Sequence, residues 1–189
     1  MLVGAVGVAV LLVPGFAGFL RLPRGESFSE LYVLGSTRMA EGYPFDVFSG
    51  VEYSVFLGVV NDLGRSAYYE VVVKMRNAAE PLPNATSGSA SPLPGLYSYP
   101  VFLGHGQAWE MPLAFMFDGV AFGVNVSSVD RIRFNDAWAV VNETATWDSE
   151  NSGYFYQVFA ELWLYNWTSN GFDYHNRFVS LWLNMTGSA

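Results

Sequence analysis

From Ser66 to Arg76 the chain reads SAYYEVVVKMR, and its apolar side chains fall on alternate positions. Ala67, Tyr69, Val71, Val73 and Met75 make one stripe, while Tyr68, Glu70, Val72, Lys74 and Arg76 make the other. A period of two is that of a strand with one buried face, so the second stripe is expected to carry its charges into solvent. The run before it, VEYSVFLGVVN (51–61), is joined to it through DLGR, which predicts a β-hairpin closed by a short glycine-containing turn. Gly64 serves that turn, and Gly58, inside the first run, marks a bulge or a close backbone approach.

The same alternation recurs along the chain. Strands are expected at 27–35, 96–103, 107–118, 129–134, 138–142, 154–166 and 177–185, with a turn-rich stretch at 42–50. In 154–166 the stripe Tyr156, Val158, Ala160, Leu162 and Leu164 faces the core. In 177–185 the core stripe is Val179, Leu181, Leu183 and Met185. The opposite stripes hold Phe155, Phe159, Trp163, Phe178 and Trp182, more aromatic surface than a solvated sheet carries. Those five residues are covered within the chain or form a surface for a partner. Frequent turns and the lack of a long amphipathic helix indicate an all-β fold, an Ig-like or adhesion-type antiparallel sandwich of about 7–9 strands.

Two segments break the pattern. Residues 78–95, AAEPLPNATSGSASPLPG, hold four of the nine prolines and suit neither helix nor ladder, so they read as a mobile loop inserted within one domain. Residues 2–20 carry no charged side chain, and at 1.5 Å per residue a helix there would span about 29 Å, the thickness of a hydrocarbon core. A transmembrane anchor at 1–24 followed by an extracellular domain at 25–189 is the leading organisation. A removed signal peptide is the second reading, although no basic stretch precedes the apolar run. The third is an extended arm, since VGAVGVAVLLV suits a strand, that would complete the sheet of a neighbouring copy.

Charge narrows the partners. With 17 acidic and 9 basic residues and no Lys/Arg run, the net charge of −8 disfavours nucleic acid. Only 14% of residues are charged, so polarity must come from Ser, Asn, Thr and Tyr or from attached groups. Five Asn-x-Ser/Thr sequons, at Asn84, Asn125, Asn142, Asn166 and Asn184 among eleven asparagines, point to an exported, N-glycosylated domain. Arg21 and Arg24 beside the apolar segment argue for the reverse orientation, and the sequons outweigh them.

Catalytic signals are thin. GVVNDLGR has five residues between its glycines, Arg65 in place of Lys, and a strand where a phosphate loop would open a helix. Cysteine is absent, which removes disulfides, thiolate metal sites and a cysteine nucleophile. His105 and His175 could build a metal site only with help from Glu110 or Asp173. Glu143, Asp148 and Glu150 form an acidic loop without the spacing of a calcium-binding helix-loop-helix. No cofactor is implied. An envelope hydrolase acting on glycans or peptides would need His105, Glu110 or Asp148 to converge in a cleft.

Three segments together, FSELYVLGSTRMAEGYP (28–44), VEYSVFLGVVNDLGRSAYYEVVV (51–73) and YHNRFVSLWLNM (174–185), resemble the archaeal membrane proteins of domain-of-unknown-function family 1616. That resemblance, spanning most of 28–185, implies an archaeal, membrane-anchored, externally facing β-sandwich, and it brings no catalytic residues. The loop at 78–95 and the single N-terminal span depart from the family's pattern. The functional expectation is a non-enzymatic cell-envelope module in the cell membrane that packs against other envelope proteins or copies of itself. A surface-filament or surface-layer subunit is the first alternative, and the hydrolase the second.

Overall fold

The computed structural model describes residues 27–187, and the expected N-terminal anchor and donor arm lie outside them. The described residues form ten strands in two five-stranded sheets packed face to face. One sheet has the order β1 (Phe28–Leu34), β3 (Glu52–Asp62), β6 (Gln107–Gly123), β7 (Val126–Phe134) and β8 (Ala137–Thr146). The other has the order β2 (Asp46–Val47), β10 (Gly171–Met185), β9 (Phe155–Asn166), β4 (Ala67–Asn77) and β5 (Tyr97–Leu103). No helix among the described residues is long and apolar enough to cross a membrane.

The inner stripes make the core as alternation requires. Val55, Leu57 and Val59 of β3 face Val71, Val73 and Met75 of β4, with Tyr156, Val158, Ala160 and Leu162 of β9 continuing the layer. Side-chain hydroxyls also cross between the sheets, from Tyr69 to Ser29 at 2.7 Å and from Tyr156 to Ser127 at 2.9 Å. Tyr99 Oη donates to the Pro112 carbonyl (2.8 Å) and accepts from Asn135 Nδ2 (2.7 Å). Burial carries the Tyr99 phenol up to about 12, so it stays a neutral donor.

Turn chemistry fixes the register. Gly64 and Gly106 take positive φ in the β3–β4 and β5–β6 turns, and Asn125, Asn135 and Asn170 do so in the β6–β7, β7–β8 and β9–β10 turns. The start of β1 lies beside Asp62. The first described residue therefore emerges at the same end as the β3–β4, β5–β6 and β9–β10 turns. The β6–β7 turn, the loop 147–154 and the end of β10 lie at the opposite end.

Several expectations are corrected. The turn-rich 42–50 contains β2, whose two residues pair in parallel with β10, so the sandwich is not wholly antiparallel. The last strand begins at Gly171 and not at 177, because a bulge at His175 and Asn176, with positive φ at Asn176, absorbs the polar residues that hid it. Gly58 sits in an unbroken ladder opposite Tyr32, and a Cβ there would collide with the Tyr32 ring, so close approach and not a bulge explains it.

The largest correction concerns the charges of β4. Lys74 and Arg76 are buried on the outer face, because residues 78–95 are packed over it and do not hang free. Lys74 Nζ lies 2.9 Å from Glu161 Oε2 and donates to the Ser91 carbonyl, while Ser91 N donates to Glu161 Oε1 at 2.7 Å. Arg76 donates to the carbonyls of Ala78 and Glu80. A buried ion pair is tolerated when its remaining hydrogen-bonding capacity is met, and the loop backbone and Trp163 Nε1 meet it for Glu161.

Candidate functional site

The outer aromatic stripe divides in two in the folded chain. Phe159 is 1% exposed, beside Lys74 on one side and Ser180 on the other, and leaves no surface for a partner. Trp163 lies over the ion pair, its indole N–H on Glu161 at 3.0 Å, and Phe178 is half-buried across from Glu161. Phe155 and Trp182 remain accessible at the far end of the sheet, where Phe155 meets both Trp182 and Phe45, the latter in the segment leading into β2.

These three rings wall an open cleft of about 900 Å³. Phe45 and Phe155 have centroids 6.1 Å apart, and Phe155 and Trp182 meet edge to face at 6.3 Å. Asn77, Thr144, Thr146, Asp148 and Asn151 add polar groups to its lining, with Ala78, Ala79 and Ala145 between them. Asp148 is committed to its own loop. It accepts the N–H groups of Glu150 and Asn151 and the Asn151 amide, and the Asn151 side-chain bond is the chief reason its carboxyl is held below the usual range.

Beside the cleft, Asn77 ties two carboxyl groups together. Its Nδ2 donates to Glu143 Oε2 at 3.2 Å, and its backbone N–H donates to Glu80 Oε2 at 3.0 Å. Burial, then the neighbouring Glu80 charge, pushes Glu143 above the ordinary carboxylate value. An apolar lining that includes amide, hydroxyl and carboxyl groups is the usual chemistry of a binding cleft.

The remaining sequence candidates lie elsewhere. His105 accepts from Gly64 N at 3.3 Å and stands 3.9 Å from Asp62, in the turns at the other end. His175 is half-buried with Nε2 3.2 Å from Ser29 Oγ, and Ser29 itself is buried against Tyr69. That serine–histidine contact is an inter-sheet tie, since the hydroxyl does not reach solvent. Glu110 meets Tyr32 and Arg38 on the outer face of the first sheet. His105, Glu110 and Asp148 do not converge, and no group of three His, Asp or Glu side chains among the described residues is arranged to hold a metal. Glu150 is exposed, and Asp173 accepts from Asn166 Nδ2 at 2.7 Å.

The sequons fall into two classes. Asn84, Asn125 and Asn142 are exposed, the first in the covering loop, the second in the β6–β7 turn and the third on edge strand β8. Asn166 and Asn184 are half-buried, and their Nδ2 atoms donate to Asp173 (2.7 Å) and Asp46 (2.9 Å). Sequence reading missed Phe45, Asn77 and Glu80, which are single residues with no periodic signature of their own.

A family model described as Domain of unknown function (DUF1616) matches residues 22–125, a span that ends in the β6–β7 turn. No curated protein sequence matches the chain. Among solved structures, a chain of the complex between Zinc 2-glycoprotein and Prolactin inducible protein from human seminal plasma is similar. It has 10% identity and a TM-score of 0.40, and the match covers 87% of this chain and 99% of that one. A β-glucosidase from Listeria innocua in complex with isofagomine is similar at 11% identity and a TM-score of 0.40. There the match covers 86% of this chain but only 16% of the glucosidase.

Proposed function

We propose, from the premise that this chain belongs to the DUF1616 family, that it is a non-enzymatic, N-glycosylated interaction module of the archaeal cell envelope. On this reading residues 1–24 anchor it in the membrane, and 25–189 form an adhesion-type, Ig-like domain outside. The observation that carries the proposal is the position of the aromatic-walled cleft. It opens at the end of the sandwich opposite the one from which the chain runs toward residues 2–20. A domain tethered at one end presents its other end to partners, and Phe45, Phe155 and Trp182 supply there the aromatic anchors typical of binding surfaces. Two of its polar groups are already engaged, Asn77 with Glu143 and Asp148 with Asn151.

Photo-crosslinking in the native membrane tests this. A photoreactive residue at position 182 should give one discrete crosslinked envelope partner, which the same residue at Glu110 should not give. The same products from both positions would overturn the reading.

A second reading, a surface-filament or surface-layer subunit, draws support from strand β8. Among the described residues its outer edge is unpaired, and it carries Trp138 and Val140, the latter 73% exposed, so it offers an acceptor for a strand from a neighbouring copy.

A further inference from the structure

The turn end of the second sheet carries an aromatic rung that the cleft does not use. Tyr68 on β4 pairs with Phe102 on β5, and Phe172 on β10 pairs with Tyr165 on β9. Because Tyr69 pairs with Leu164, the same register brings Tyr68 opposite Tyr165, and their centroids are 6.0 Å apart. Four aromatic side chains therefore stand in one row across four neighbouring strands, all on the outer face. Trp167 in the β9–β10 turn extends the row, with its ring edge to face on Tyr165 at 4.8 Å. Phe172 meets Tyr68 at 5.1 Å and Tyr165 at 5.3 Å. The packing holds the row as one surface, yet Phe102 is 69% exposed and Trp167 76%. The covering loop reaches Val72, Lys74 and Arg76 farther along β4, and no contact with the loop takes Tyr68 or Phe102 out of solvent.

We infer that this rung is a membrane-interface belt, docking the turn end of the domain onto the headgroup region of a lipid bilayer. The inference rests on the anchoring proposed above and adds an orientation to it. Three observations favour lipid over protein. The rung lies at the end where the chain enters β1, and residues 21–26, which join it to the uncharged segment 2–20, reach at most about 22 Å when extended. Tyr and Trp supply part of the row, and their rings, apolar in body and polar at one edge, suit the depth between acyl chains and water. Arg21, Arg24 and Arg65 offset Glu26, Asp62 and Asp173 at this end, so it does not share the net charge of −8 of the whole chain and does not repel a headgroup surface. Asn166 would then face the bilayer, consistent with its amide being committed to Asp173.

The chain has no cysteine, so single labels can be placed without background. Ser169→Cys puts a spin label in the β9–β10 turn, and Glu150→Cys puts one in the loop at the cleft end. The full-length chain is reconstituted into vesicles of phosphatidylcholine and phosphatidylglycerol, and collisions with oxygen and with a water-soluble nickel complex are measured. Docking predicts that the label at 169 loses nickel accessibility while keeping oxygen accessibility, and that the label at 150 keeps both. In a Phe102→Ser/Trp167→Ser background, the label at 169 should regain nickel accessibility. Equal aqueous exposure at 169 and 150, in a chain that resists alkaline carbonate extraction, overturns the belt and leaves the anchor standing. Loss of both reagents at 169 would mean that protein covers the rung, and would overturn it as well. Release of the chain by carbonate would defeat the anchor reading itself.

Discussion

The hydroxyl of Tyr69 on β4 lies 2.7 Å from that of Ser29 on β1, and both side chains are buried. Tyr69 also donates to Asn61 Oδ1 at 3.1 Å, and Asn61 Nδ2 donates to the carbonyls of Arg65 and Leu103. One phenol thus ties the two sheets and the adjoining turns together. Burial raises its pKa, with the Ser29 bond acting in the opposite sense, so the tyrosine remains protonated.

Replacing Tyr69 with Phe keeps the ring and removes the hydroxyl on which Ser29 and Asn61 converge. The expected cost is about 1–3 kcal/mol, that of leaving buried polar groups without partners. Denaturant unfolding followed by tryptophan fluorescence measures it. The double variant Tyr69→Phe/Ser29→Ala should cost less than the sum of the two single changes, and strict additivity would contradict the coupling.

His175 adds a pH dependence to the same tie. Burial first, then the charges of Arg177 and Arg65, hold its pKa below the ordinary 6.5. The unfolded chain therefore takes up a proton at this site before the folded chain does. The His175 contribution is whole above pH 6.5 and is lost as pH falls from there through the folded pKa. His175→Gln should flatten the stability profile in the window just below pH 6.5. An unchanged slope in that window would show that the imidazole titrates as it does in the unfolded chain.

Lys74 and Glu161 predict an asymmetric response. Lys74→Met removes one partner and leaves a buried carboxylate, at a cost of about 3–5 kcal/mol. Lys74→Met/Glu161→Leu removes both charges and should recover much of that loss, read from the denaturation midpoint. A single variant as stable as the parent would mean that the loop over the pair opens easily.

The sequons divide by geometry. In protein isolated from its native host, intact-mass and glycosidase analysis should find sugar on Asn84, Asn125 and Asn142, whose side chains are exposed. Asn166 and Asn184, with their amides on Asp173 and Asp46, should be bare. Full occupancy of Asn184 would require the β2 edge to be remodelled around Asp46.

Much of the sandwich is legible in the sequence because strand burial is local. Alternation along 66–76 and 154–166 gives the core residues directly, and Asn or Gly at a turn reports the left-handed backbone that the turn requires. The site is less legible. Phe155 and Trp182 stand out as aromatics on an outward stripe, but Phe45, Asn77 and Glu80 join them only when three separated segments meet.

The sequence by itself determined the fold class, the hairpin about Gly64 and the inward faces of the strands, because those follow from a period of two and from backbone sterics. Tertiary structure alone decided the fate of the outward faces. Tyr68, Lys74 and Arg76 share one outward stripe in the sequence, yet Lys74 and Arg76 are buried while Tyr68, paired with Phe102, stays exposed. The difference is whether another segment lies above them, and the loop at 78–95 covers one part of the sheet and not the other. Burial on a second face depends on contacts between residues distant in sequence, which alternation along a single strand does not encode.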